Sequence, residues 1–430
     1  MLVLDAGRQS CAWAVQMRRA FLVCLSLPLL AGCGGQAESP DRVEAAQAVV
    51  DTVDGIPRST WPETPLPELE WRFDTLFVVG GYDAEGSAHQ FDQVEPGGIA
   101  GDPFGRLFVL DAAGKRLLGF DPEGRPIGTW GREGGGPGEL NSPSGLGVGP
   151  ADSLWVVDRG NRRVTVFPPD PDGVPSDLAL VDESAGLGGA VAVDPAGMVG
   201  MALNFSFRPG EELEYPPRRL IRIARDGTIL DTVWTSPPPM FDRIELTTGN
   251  QVAIMLSQRS FSPGVFWQRF GDGGFAVAEK ADYEISLLRP DGSERLRIRR
   301  EPEARLTTEA DRQRAREAAR EQAEDSGSPF VRQSVEERIE KMTFADRVPR
   351  ITGLAVDGSD RLWVGVAAER PGETGRIDVY DRDGVPIGEM RTEPILPTSF
   401  FGDGRAALLD RDELDVQRVV VLQLIEPASP

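Results

Sequence analysis

Histidine occurs once in this chain of 430 residues, at His89, and cysteine three times, at Cys11, Cys24 and Cys33. So little histidine nearly excludes triads that use it as the base and zinc sites built on two or three of its rings. Beyond residue 33 there is no thiol at all, so no internal disulfide can form there and the fold has to be stabilised by its core. Lysine is found only at Lys115, Lys280 and Lys341, and arginine carries most of the 46 basic charges against 68 acidic ones, for a net charge of −22. Nucleic acid and anionic lipid both require basic surface, so this balance disfavours them as partners, and solubility is its plainest meaning. Long apolar runs are missing too. The longest, Ala20 to Leu30, is about a dozen residues where a membrane-spanning helix needs roughly 20.

That run instead follows a basic start, Met17-Arg18-Arg19, and precedes Leu30-Ala31-Gly32-Cys33. The order basic, apolar, small-residue box is that of a secretory signal, expected over residues 1–32 with Met17 as an alternative start. It resembles the leader of bacterial lipoproteins. The resemblance implies that Cys33 becomes the first mature residue and carries several acyl chains, which at about 0.8 kcal/mol per buried methylene anchor the protein persistently. Gly34 after the cysteine, rather than Asp, points by analogy to the outer membrane. Residues 33–68, rich in Pro, Glu, Asp and Ala, read as a flexible linker of roughly 30–35 Å.

From residue 69 to 430 the chain repeats. Six times a turn carrying Gly or Asp leads into an apolar strand, and Phe108, Trp155, Gly200, Ala276, Trp363 and Ala407 occupy equivalent places. A second turn follows in the clearer units, as in Asp121-Pro122-Glu123-Gly124, Asp226-Gly227, Asp291-Gly292 and Asp381-Arg382-Asp383-Gly384. Two hairpins per unit make a four-stranded blade, and radial repetition makes a propeller. The fold class expected is therefore all-β, a six-bladed β-propeller in a single domain. The last unit is short of an outer strand, and Trp71–Gly81 is a strand without a unit, so the N-terminal strand is expected to close the last blade. Asn204–Pro217 and Ser236–Gln268 read as loops. A helical insert, about 306–346, falls between blades four and five, with Thr308 and Ser334 as N-caps.

Gly131-Arg132-Glu133-Gly134-Gly135-Gly136-Pro137-Gly138-Glu139-Leu140, with Leu154-Trp155-Val156-Val157-Asp158-Arg159-Gly160-Asn161 after it, resembles an NHL repeat. The likeness holds over residues 98–168 and returns over 351–390, and the whole is similar to six-bladed propeller lipoproteins of bacterial envelopes. That family implies binding of proteins, RNA or small ligands, with a minority of lyases and lactonases. The histidine-dependent chemistries among them do not carry over to a chain with one histidine.

The glycine-rich stretch lacks the strand-to-helix setting of a phosphate loop and reads as an inter-blade connection. Asp111 and Asp158 end equivalent strands and should share a face of the ring. They either hydrogen-bond turns in their own blades or, with Arg116, Arg132, Arg159 and Arg162, surround a polar mouth that receives a ligand. No catalytic residue, metal site or cofactor is assigned. The reading is an envelope binding or scaffold module for a protein, peptide or glycan, touching the membrane through its lipid anchor only and facing the periplasm or the cell exterior. The alternative is a calcium-dependent, lactonase-like hydrolase with its site in the channel, since Ca2+ needs only oxygen ligands.

Overall fold

The computed structural model describes residues 48–82, 90–180, 186–203, 217–238, 241–248, 251–324, 334–368, 375–392 and 394–427. Cys33 and His89 lie outside the described residues, as do 204–216 of the first expected loop.

The repeats fold into six antiparallel blades, five of them built on four consecutive strands and the sixth on three with a strand from the start of the chain. Blade 1 comprises Val94–Gly101, Leu107–Asp111, Arg116–Phe120 and Pro126–Trp130, and blade 2 comprises Pro143–Val148, Leu154–Asp158, Arg163–Phe167 and Ser176–Ala179. Blade 3 spans Gly186–Asp194 to Ile229–Thr235, blade 4 spans Phe266–Arg269 to Glu294–Arg300, and blade 5 spans Ile351–Val356 to Pro386–Met390. Blade 6 takes Ser399–Phe401, Arg405–Arg411 and Gln417–Ile425 from the end of the chain, and its fourth strand, Arg72–Gly80, from the start. That strand pairs antiparallel with Gln417–Ile425, Arg72 opposite Ile425 and Gly80 opposite Arg418. Ring closure through the N-terminal strand is thus as expected, and it ties the start of the chain to its end by a sheet ladder. The six positions read as equivalent all lie on second strands, each opposite a first-strand residue: Ala100, Gly147, Val191, Gln268, Ala355 and Ser399.

Second strands such as Leu107-Phe108-Val109-Leu110 are apolar throughout because both of their faces are covered. Leu107 and Val109 pack with Ala407 and Val419 of blade 6, while Phe108 and Leu110 pack with Leu146 and Val156 of blade 2. The same two-sided packing gives every seam between neighbouring blades its own apolar cluster. Between the third and fourth strands, Gly124, Gly227, Gly292 and Gly384 have φ of 82° to 85°, which glycine adopts without a Cβ penalty. The Asp opening each of these turns accepts a backbone N–H two residues on, from Glu123, Thr228, Ser293 and Asp383.

Two expectations need correction. The stretch 33–68 is not all linker: Val49–Val53 and Ile56–Trp61 form a hairpin, and Ile56–Trp61 adds parallel to the outer strand of blade 4. Its turn is Asp54-Gly55, both at positive φ, the Asp-Gly hairpin signal in a segment whose half-exposed strands are too polar to read as core. The chain then crosses the rim of blade 5, where the Leu69 N–H donates to the Glu389 carbonyl at 2.8 Å and the Glu389 N–H to the Pro67 carbonyl at 2.9 Å. One N-terminal segment therefore belts the rims of blades 4, 5 and 6. The second correction is that Ser236–Gln268 is not simply loop. It holds an antiparallel hairpin, Phe241–Thr248 with Gln251–Gln258, and the start of blade 4's innermost strand.

The helical insert lies between blades 4 and 5 as expected, with α1 at Glu309–Glu324 and α2 at Val335–Glu340. Thr308 and Asp311 form a reciprocal cap, in which the Asp311 N–H donates to the Thr308 hydroxyl at 3.3 Å and the Thr308 N–H donates to the Asp311 carboxylate at 2.9 Å. The Arg305 guanidinium, bonded to Asp311, holds its carboxyl well below the usual range. Ser334 stands at the N-cap of α2, but its side chain makes no cap hydrogen bond there.

Candidate binding site at the channel mouth

In an antiparallel blade the first strand begins, and the fourth ends, at the same end of the ring. Connections between blades and the turns between second and third strands therefore share one face, and the remaining turns share the other. On the first of these faces the channel opens into a cavity of about 540 Å³ lined by Pro96 and Gly97, Gly188 to Ala190, Met201, Arg218, Val265 to Gln268, Gly353, Leu354 and Leu396 to Thr398, with Glu95 at its rim. Five blades contribute and blade 2 does not. Its first strand is screened by Gly188–Ala190 of blade 3, which reaches across to blade 1. A Cβ on Gly97 would stand 2.5 Å from the carbonyl carbon of Gly189, and one on Gly145 would collide with the Gly189 oxygen. Only glycine permits that approach. Deeper in the channel a second cavity of about 290 Å³ runs to the far end, where Arg269 and Asp194 tie blades 4 and 3 at 3.7 Å.

Both insertions enter on the mouth face, because both leave a fourth strand and return to a first. They are joined there. The Ser260 N–H donates to the Thr343 carbonyl at 2.9 Å, the Ala345 N–H donates to the Ser260 carbonyl at 2.8 Å, and Phe261 packs on Phe344 with ring centroids 6.3 Å apart. Arg316 and Arg312 of α1 cover the Phe344 ring at 5.2 and 5.9 Å. The neck of the helical insert is closed by a short ladder, Thr307 N–H to Asp346 carbonyl at 2.9 Å and Val348 N–H to Arg305 carbonyl at 3.0 Å.

Asp111 and Asp158 end equivalent second strands and share the mouth face, but both are fully buried away from the channel. Asp111 accepts hydrogen bonds from the Asp92, Gln93 and Gly114 amides and from Arg116. Asp158 accepts from the Asn141 and Ser142 amides and from the Asn161 side chain. Each carboxylate latches the incoming linker of its own blade, which is the turn-bonding alternative. Arg116 is held by Asp111 and the Gln90 carbonyl, and the exposed Arg132 pairs with Glu139 at 2.9 Å. Arg159 and Arg162 are exposed on the turn of blade 2, Arg162 at φ 52°. None of the six lines either channel cavity. Replacing the buried Asp158 with Ala leaves the Asn141 and Ser142 amides without their acceptor and should cost about 1–3 kcal/mol in thermal or denaturant unfolding. Unchanged stability would remove the latch.

Gly131–Gly138 forms the connection from blade 1 to blade 2, pinned by Asn161 donating to the Gly134 carbonyl at 2.9 Å and by Arg163 donating to the Gly136 and Glu139 carbonyls at 2.6 Å each. Its glycines serve a tight linker. Among the described residues no group of three or more His, Cys, Asp or Glu side chains is placed to hold a metal ion, and no helix is long and apolar enough to cross a membrane.

Comparison with known proteins finds partial likenesses. The NHL repeat model matches residues 140–167, the linker end and first three strands of blade 2. NHL repeat-containing protein 3 of Homo sapiens is 31% identical over 103 residues, 23% of this chain and 29% of that protein. Its Mus musculus counterpart is 31% identical over 84 residues, 19% of this chain and 24% of that protein, so the match spans under a third of either relative. Among solved structures, a Bacteroides thetaiotaomicron protein of unknown function superposes with a TM-score of 0.42 at 13% identity, covering 90% of this chain and 84% of that one. Virginiamycin B lyase from Staphylococcus aureus superposes with a TM-score of 0.39 at 12% identity, covering 83% of this chain and 100% of that one. Blade order and seam packing make the chain a six-bladed β-propeller, and its second blade is similar to an NHL repeat.

Proposed function

We propose that this chain is an exported, lipid-tethered propeller of the bacterial envelope that binds a protein, peptide or glycan partner on its mouth face. The observation that carries the reading is the convergence there of both insertions and an open, largely apolar cavity. A ring whose strands are buried on both faces has few places to vary, and loops held by a rigid scaffold are where binding residues concentrate. The leader and Cys33 supply the address and the anchor, and the acidic balance suits a partner other than nucleic acid.

The test is affinity capture of tagged full-length protein from crosslinked native envelopes, beside a variant in which residues 307–346 are replaced by a short turn across the closed neck. A partner lost with the insert supports the reading. Equal recovery by both chains removes the insert from it, and recovery of no partner contradicts it. Cys33→Ser should move the protein into the soluble exported fraction, and continued acyl labelling of that variant would refute the anchor.

A further inference from the structure

Of the residues lining the mouth cavity, only Glu95 and Arg218 bear charge. Glu95 is exposed at the rim, whereas Arg218 is half-buried at the start of blade 3's third strand. Four other shielded guanidinium groups are each matched with a carboxylate: Arg106 with Asp102, Arg163 with Asp177, Arg222 with Asp231 and Arg300 with Asp378. Arg218 is not. Among the described residues no carboxylate pairs with it, its Nε is buried without a hydrogen-bond partner, and its Nη2 reaches only the Ser236 hydroxyl at 3.4 Å. Glu279, across the seam in blade 4, favours the charged guanidinium but makes no ion pair with it. Burial lowers the Arg218 proton affinity and raises that of Glu279. A guanidinium stays charged even so, and this one, with Glu279 reaching it only through the shared Ser236 hydroxyl, keeps donors free for a ligand. Beside it, Met201, Val265, Phe266, Trp267, Leu396 and Pro397 give the cavity an apolar wall.

We propose that Arg218 is an anion anchor and that the mouth takes a ligand carrying a carboxylate on an apolar body. This rests on the mouth-face reading above and names the ligand chemistry for it. The guanidinium fork matches a carboxylate with two parallel N–H donors, and the hydrophobic wall receives the body behind it. Two sources share that chemistry, the C-terminal residue of a peptide and a free small acid.

The experiment is isothermal titration of the full chain and of Arg218→Gln with N-acetyl-L-phenylalanine, its C-terminal amide and 3-phenylpropionate. Both acids should bind the native chain at least tenfold more tightly than the amide, and Arg218→Gln should bring them to the level of the amide. Tighter binding of the N-acetyl amino acid assigns a peptide terminus, and equal binding of the two acids assigns a free acid. The variant should melt close to the native chain, because Arg218 makes no direct ion pair. Should it fail to fold, Arg218→Lys keeps the charge without the fork and should retain only part of the preference. Equal affinity for acid and amide, or acids bound unchanged by Arg218→Gln, overturns the anchor and leaves the mouth-face reading standing. If no probe binds the native chain, the ligand class is overturned, and the mouth-face reading is judged separately by the capture experiment.

Discussion

A chain shortened to begin at Tyr82 should lose its cooperative unfolding transition, whereas one that begins at Glu70 should keep it at reduced stability. The two differ by the strand Arg72–Gly80, which fills the outer position of blade 6 along its whole pairing with Gln417–Ile425. Phe73 and Phe77 pack partly and Val79 fully into the seams beside blade 6. At about 1.5–3 kcal/mol for a fully buried large apolar side chain, the loss is on the order of 5 kcal/mol before any ladder hydrogen bond is counted. The whole stability of a folded domain is about 5–15 kcal/mol. The shorter truncation removes only the rim belt. Circular dichroism melts of both chains decide the matter, and a cooperative melt from the Tyr82 chain would show that the ring does not need its N-terminal strand.

Breaking the charge cluster between blades 4 and 5 should cost about 3–5 kcal/mol, more than any other single side-chain change considered for this fold. Arg300 donates to the Asp378 carboxylate at 2.5 Å, to the Thr64 carbonyl at 3.0 Å and to Glu389 at 3.4 Å. Arg376 donates to Asp378 at 2.8 Å from the other side. The Arg300, Asp378 and Glu389 side chains are at most 1% exposed. Burial alone would weaken Arg300's hold on its proton, but Asp378 reverses this and raises it. Next to the cluster the Tyr283 hydroxyl donates to that of Tyr380 at 2.9 Å, and burial pushes both phenols up, so both stay neutral. Asp378→Ala leaves two buried guanidinium groups facing one carboxylate, a named source of large destabilisation. Denaturant unfolding measures the cost. Arg300→Met with Asp378→Leu should recover much of it, because removing both charges also removes their desolvation penalty. A loss under about 1 kcal/mol for Asp378→Ala would mean that water reaches the cluster.

What the sequence discloses follows from what each strand has to bury. Second strands are covered on both faces and read as apolar runs after an Asp or Gly turn, so the blade count and the repeat were legible. The innermost strands were not. Pro143-Ser144-Gly145-Leu146-Gly147-Val148 and Gly186-Leu187-Gly188-Gly189-Ala190 crowd the channel, where extra Cβ atoms would strike a neighbouring blade, and glycine in such numbers resembles loop. The mouth is built from those strands, one or two residues per blade, with no motif to announce it. Asp111 and Asp158 were conspicuous because they repeat, and they repeat because the linkers into blades 1 and 2 are latched in the same way. Arg218 had no such signal. Only the folded chain brings it to Trp267 and Leu396, and only there does its missing carboxylate become visible. The rim hairpin at Val49–Trp61 was hidden by half-exposed strands, although Asp54-Gly55 marked its turn.

The central claim, that the mouth face is the working face, is tested most directly by site-specific photocrosslinking in intact envelopes. A photoreactive phenylalanine is placed at Trp267 in the mouth or at Phe104, which is 69% exposed on the turn of the opposite face. Crosslinks from position 267 and none from position 104 are the predicted result, and crosslinks from 104 alone would contradict it.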